Sequence, residues 1–294
     1  MNTPTPECIV EIPTLLGENP LWIPSEKRLY WLDLMKPAVY RFDPATGKNS
    51  ALRADLGSYV SGMVQRQKGG WIIVREDGVS ALDLATGRLQ PLVNPEPDQP
   101  ENMLNDAKCD RQGRLWTGSL DKRETHPNGN HYVIDKKLKV TKVADSLICS
   151  NGPAFSPDGR IAYLADSNGR AIFRLTIDPE TGKVGPKQPF AQTTVETGMP
   201  DGMTVDAEGY LWSARWDGGR VVRHAPDGSV DREIMLPVPR VTSVSFGGEN
   251  LDTLYITTAT TGLTDDQLAK APLSGSLFAC KPGVRGLPEP AFAG

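Results

Sequence analysis

The chain has 294 residues, with 32 Lys and Arg against 36 Asp and Glu for a formal net charge of −4, and 38% of its residues are hydrophobic. That apolar content can build a core, which excludes a chain held open by self-repulsion, and the mildly acidic balance excludes a protein organised around a basic face for nucleic acid. The 29 Gly and 25 Pro are spread along the chain rather than gathered in one linker, so many turns are expected.

Residues 1–13 have neither the basic head nor the apolar stretch of a secretory signal. No run reaches the roughly 20 apolar residues that cross a bilayer. The expectation is a cytoplasmic protein with no membrane partner. Cys8, Cys109, Cys149 and Cys280 lie far apart with no C-x-x-C pair, which predicts small buried hydrophobes with reduced thiols rather than a zinc cluster or disulfide framework.

Moving along the chain, a short apolar segment carrying one aromatic recurs six times. Its anchors are Tyr30, Trp71, Trp116, Tyr163, Trp212 and Tyr255, at spacings of 41, 45, 47, 49 and 43 residues. Tight turns precede four of them, at 110–113, 156–159, 206–209 and 247–250, where Gly, Asp and Asn supply positive φ and local capping. A second turn, Asp-x-x-Thr-Gly, follows strand-like runs at 43–47, 83–87 and 178–182. Each unit therefore reads strand, turn, strand, turn, strand. Helical patterning is confined to residues 264–270, where Thr264 and Gln267 have capping-box spacing. Six antiparallel units of about 45 residues fit an all-β, six-bladed β-propeller with an axial channel. The expectation is one propeller domain over residues 1–294, its N-terminal strand near 8–12 closing the last blade beside a strand at 276–280.

Phase within the repeat points to a site. Glu18 lies 12 residues before its anchor, Asn105 11 before, Asn151 12 before and Asp201 11 before, while Val60-Ser61 and Ser243-Val244 hold the same phase in the second and sixth units. Equivalent positions in a propeller form a ring, so these side chains are expected to converge on the axis. With Asp106 beside them they are oxygen donors without thiol or imidazole, a set suited to a hard divalent cation such as Ca²⁺, Mg²⁺ or Mn²⁺, with Zn²⁺ less favoured. The competing reading is that Asn, Asp and Glu beside Gly or Pro are turn formers. His126, His131 and His224 lie outside this phase and are expected on surface loops, and no G-x-S-x-G elbow surrounds Ser150.

The strings Leu16-Gly17-Glu18-Asn19-Pro20-Leu21-Trp22, Asn105-Asp106-Ala107-Lys108-Cys109-Asp110, Ser150-Asn151-Gly152-Pro153-Ala154-Phe155 and Pro200-Asp201-Gly202-Met203 are similar to those of the senescence marker protein-30, gluconolactonase and luciferin-regenerating enzyme family. The likeness runs from about residue 11 to 279. It implies a six-bladed propeller with one axial divalent metal, Ca²⁺ first, and hydrolysis of sugar lactones. Glu18, Asn151 and Asp201 match the family's metal ligands, Asp201 also its general base, and Asn105 its substrate-contacting asparagine. Met103 stands where sugar-lactone members often carry arginine, which removes a fork of donors and points to a less polar lactone. Lys122 and Arg123 are candidates to replace that cation, against the alternative of a solvated loop.

The chemistry expected is opening of a small lactone, a sugar-acid lactone first. The metal polarises the carbonyl, water attacks, Asp201 takes the proton and Asn105 orients the substrate oxygen. A non-catalytic calcium-binding regulatory propeller and a metal-dependent hydrolase of another ester are the alternatives. Trp216 either borders the channel mouth or packs between blades. Nothing in the sequence speaks to oligomeric state.

Overall fold

The computed structural model describes residues 4–53, 56–57 and 59–294. The first strand, β1 (Glu7–Val10), is taken up below with the sheet it joins. The first complete sheet holds β2 (Gly17–Ile23), β3 (Arg28–Asp33), β4 (Ala38–Asp43) and β5 (Lys48–Arg53) in sequence order. The second holds β6 (Val60–Gln65), β7 (Trp71–Arg75), β8 (Gly78–Leu82) and β9 (Leu89–Val93), and the third β10 (Asn102–Cys109), β11 (Leu115–Asp121), β12 (Gly129–Ile134) and β13 (Val140–Leu147). The fourth comprises β14 (Ser150–Phe155), β15 (Ile161–Asp166), β16 (Ala171–Thr176) and β17 (Gln188–Gln192). The fifth comprises β18 (Met199–Val205), β19 (Leu211–Trp216), β20 (Arg220–His224) and β21 (Val230–Met235). The sixth takes β22 (Val241–Gly247), β23 (Thr253–Thr258) and β24 (Leu277–Cys280), and receives β1 as its outermost strand, with Glu7 opposite Ala279 and Cys8 opposite Phe278. The molecule is a six-bladed β-propeller.

Burial grades outward from the axis. The inner strands β2 and β22 are buried along their whole length, whereas the outer strands β5 and β21 mix half-buried and exposed positions, with Ile234 of β21 buried. The anchor aromatics fall on the second strands and fill the wedge between neighbouring blades. Tyr30 meets Trp71 with ring centroids 4.7 Å apart, Trp116 meets Phe155 at 5.3 Å, Trp212 meets Phe246 at 5.8 Å, and Trp22 meets Tyr255 at 6.0 Å to join the first and last blades. Large rings recur at the period of the blade because the gap between splayed sheets needs volume that aliphatic side chains do not supply.

Residues 265–270 form the short helix α1 (Asp265–Lys270), capped by the reciprocal Thr264 and Gln267 bonds expected of its spacing. The four cysteines are free thiols, three of them buried. Among the described residues, no helix is long and apolar enough to cross a membrane.

The chain end crosses one face of the ring. Gly286 pairs with Asp206 at one inner turn, Phe292 pairs with Arg66 at another, and the Ala293 N–H donates to the carbonyl of Gly113 at a third. These turns follow the C-terminal ends of the inner strands. The tail thus lies across the lower end of the axial channel, and Phe292 is fully buried there.

Candidate active site

All six inner strands carry a register shift near their upper ends: Glu18/Leu21, Val60/Gly62, Asn105/Ala107, Asn151/Ala154, Pro200/Met203 and Val241/Ser243. A bulge inserts extra backbone into one strand and re-aims its side chains. Repeated around a ring, it turns one position of each blade toward the axis. The crowding there requires glycine, since a Cβ on Gly202 would lie 2.1 Å from the Ser243 Oγ.

The bulges bring Glu18, Asn105, Asn151, Asp201 and Met103 to one cavity of about 410 Å³. The first four are buried. Three carboxylates share a local geometry in which each accepts the N–H of the next residue: Glu18 from Asn19 at 2.9 Å, Asp106 from Ala107 at 2.7 Å and Asp201 from Gly202 at 3.0 Å. Asp106 does not line the cavity. Its carboxylate belongs with Lys108 and Glu289 in the channel below, where Lys108 Nζ stands 3.5 Å from Glu289.

A hydrogen-bonded chain sets the amides. Ser167 donates its hydroxyl hydrogen to the Pro200 carbonyl at 2.7 Å, so it accepts from Asn151 Nδ2 at 2.9 Å. Asn151 therefore turns its oxygen the other way, where it accepts from Asn105 Nδ2 at 3.0 Å. Asn105 also donates to the Ser150 carbonyl at 3.0 Å and accepts from the Tyr59 hydroxyl at 3.2 Å.

Burial pushes Glu18 well above the usual carboxylate range, and the charges of Asp201 and Asp106 push it further. Burial and the Asp106 charge likewise raise Asp201. Asp106 is pushed up to about 7 by burial, against the pull of Lys108. Among the described residues no three His, Cys, Asp or Glu side chains converge as a metal cluster. The donor set here is instead two carboxylates and an amide oxygen. Buried carboxylates that repel one another and lack a matching cation fit a hard divalent ion, which removes the repulsion that protonation would otherwise relieve.

Two expectations are corrected. Lys122 and Arg123 do not line the cavity: Lys122 Nζ is drawn 2.6 Å from Glu76 of the neighbouring blade, and the Arg123 side chain is 72% exposed, its nearest carboxylate Asp121 at 3.9 Å. The loop after β11 presents Glu124 to the cavity instead. Nor do the histidines share a surface setting. His126 is exposed, but His131 and His224 are buried in β12 and β20. Burial holds their rings neutral, with pKa values lowered to about 3 and about 4.

Sequence reasoning missed Ser167 and Glu124, which sit outside the repeat phase, and also Tyr59, which lies 12 residues before Trp71 but carries a phenol where four other blades offer carboxylates and amides. It left Trp216 open between two roles; Trp216 lines the cavity, with the Arg240 guanidinium over its ring at 4.7 Å.

The sequence model described as the SMP-30/gluconolactonase/LRE-like region matches residues 16–260. A 6-deoxy-6-sulfogluconolactonase of Pseudomonas putida is 38% identical over 294 residues, covering 99% of each chain. A pentonolactonase of Haloferax volcanii is 32% identical over 293 residues and covers 96% of each. Among solved structures, a calcium-binding protein, regucalcin, from Agrobacterium tumefaciens superposes with a TM-score of 0.91 at 30% identity, covering 99% of this chain and 97% of that one.

Proposed function

The chain belongs to the SMP-30/gluconolactonase/LRE-like family, and from that premise we propose that it is a divalent-metal-dependent lactonase whose reaction runs in the cavity at the top of the channel. The observation that carries the reading is the convergence of Glu18, Asn105, Asn151 and Asp201 from four blades on one buried, oxygen-rich floor. Lactonase names among relatives that cover 96% or more of this chain support it. A cytoplasmic setting belongs to the same proposal, supported by four unpaired cysteines.

Glu18, Asn151 and Asp201 would hold the cation, with Ca²⁺ first and Mg²⁺, Mn²⁺ or Zn²⁺ as alternatives. A cation bound there supplies a Lewis acid for the lactone carbonyl and the oxyanion that develops on it. Asp201 accepts a proton from water as the water oxygen bonds to the carbonyl carbon. The acyl bond to the ring oxygen then breaks and that oxygen takes the proton back, so the product is the open-chain hydroxy acid. Asn105 orients the substrate oxygen through the N–H that faces Asn151, its other N–H staying on the Ser150 carbonyl. Among the described residues no cation at the cavity wall pairs a sulfonate, so the substrate in the Pseudomonas relative's name is not carried over.

The test is acid release from a panel of aldonolactones and simple γ- and δ-lactones, with spontaneous opening subtracted. Chelation should abolish turnover, added metal should restore it, and Asp201→Asn should lower kcat/KM by about 10²–10⁴-fold. Cation binding without turnover of any lactone would favour a calcium-binding propeller without catalysis, the reading closest to the description of the Agrobacterium structure.

A further inference from the structure

The cavity has two chemical zones. Its floor is the polar set already described. Its wall is largely apolar, formed by Leu16, Leu34, Met35, Met103, Met199 and Trp216. Met35 lies half exposed on the rim. The backbone N–H of Leu34 donates to the Leu16 carbonyl at 2.9 Å, tying two wall positions together.

Among the described residues no Lys, Arg or His lines this space, and the one charged group outside the floor is Glu124, which is exposed. The cations nearest in the chain are committed elsewhere. Lys122 serves Glu76, and Arg240, over the Trp216 ring, is paired with Asp217 at 2.9 Å and bonded to the Thr261 carbonyl. A sulfonate, phosphate or second carboxylate entering such a space loses its water without gaining a donor fork, and meets a like charge at Glu124. An alkyl group entering it covers side chains that otherwise face solvent.

Resting on the lactonase reading, we propose that this site selects an uncharged lactone bearing an apolar substituent and rejects lactones that carry a second anionic group. Met103 and Glu124 are the specificity-determining residues. Met103 lies on β10, two residues before Asn105, so its side chain meets the part of the substrate next to the reacting ring. Glu124 sets the sign of charge tolerated at the mouth.

The test compares kcat/KM of the metal-loaded full chain on three δ-lactones: an alkyl δ-lactone, gluconolactone and 6-deoxy-6-sulfogluconolactone. The alkyl lactone should exceed the sulfonated one by about 10-fold or more, the scale on which a pocket discriminates apolar groups. Met103→Arg should shrink that ratio by about 10-fold, because it restores a donor fork beside the ring. Glu124→Gln, at an exposed position where folding is not at stake, should shrink it roughly threefold at low ionic strength and less at high. Equal or faster opening of the sulfonated lactone, or a ratio unmoved in both variants, overturns the proposal while the lactonase reading stands. If none of the three is opened, the lactonase reading fails and this one falls with it.

Discussion

The arrangement of single atoms around Asn151 decides what the floor can bind. Ser167 spends its only hydroxyl hydrogen on Pro200, and this forces the Asn151 amide nitrogen outward and its oxygen toward the axis. Ser167→Ala removes that constraint without replacing a candidate ligand, so divalent-cation affinity should fall by about 10–100-fold in calorimetric titration while the circular dichroism spectrum is unchanged. The buried histidines give a second prediction. His131 and His224 stay neutral in the native state down to about pH 3 and about 4, whereas in the unfolded chain each binds a proton below about 6.5. The unfolded state therefore holds the extra protons, and stability falls as pH drops from 6.5 toward 4, by about 1.4 kcal/mol per pH unit for each histidine. Urea unfolding at pH 6.5, 5.5 and 4.5 should show a slope shallower by about one proton in His131→Gln. Glu18, Asn105, Asn151 and Asp201 were legible because a propeller converts sequence phase into position on a ring. Lys122 and Arg123 were not, because the direction of a loop after its strand depends on partners such as Glu76 in another blade.

Turn aspartates link the local pattern to the stacking of blades. Asp110 accepts the Trp116 indole N–H at 2.8 Å, and Asp206 accepts that of Trp212 at 2.9 Å, so the residue that opens each turn also fixes the anchor ring six positions later. Asp206 further holds the buried Arg223 at 2.7 Å. Asp206→Ala should cost about 3 kcal/mol or more in denaturant unfolding, since it strips a buried guanidinium of one partner and an indole of its acceptor. Asp158→Ala is the control, because Asp158 bonds Ser156 and the Arg160 N–H on an exposed turn, and its ion pair with the Arg160 side chain, at 4.0 Å, is solvent-exposed. Its effect should stay within about 1 kcal/mol. The strands, the turns and helix α1 could be read from aromatic period, Gly and Asp placement and the capping box. The six bulges could not, since an extra residue in a strand has no composition of its own. His131 escaped for a related reason: a polar residue on β12 between Asn130 and Tyr132 looks solvent-facing until Trp116 packs on it, ring centroids 5.9 Å apart.

The ring is closed twice. The antiparallel pairing of β1 with β24 completes the last blade from the opposite end of the chain, and the C-terminal tail fastens inner turns of four blades from below. Phe292 is fully buried against Val64, Cys109 and Ile134, so Phe292→Ala should lower stability by about 3–5 kcal/mol in denaturant unfolding. Blade count follows from the anchor period, and so does the use of an N-terminal strand in the last sheet. The course of the tail does not, because its Gly- and Pro-rich stretch pairs with turns of several other blades, as far off in sequence as Arg66.

Beneath the floor, the space is filled by Lys108, Glu289 and Thr204, with the Thr204 hydroxyl 3.3 Å from Glu289. The propeller is therefore a cup and not a pipe. Whatever enters over the Met35 and Trp216 rim has to leave by the same aperture, so each turnover of the proposed reaction includes an emptying event before the next molecule is admitted, and a hydroxy acid that lingers blocks its own successor.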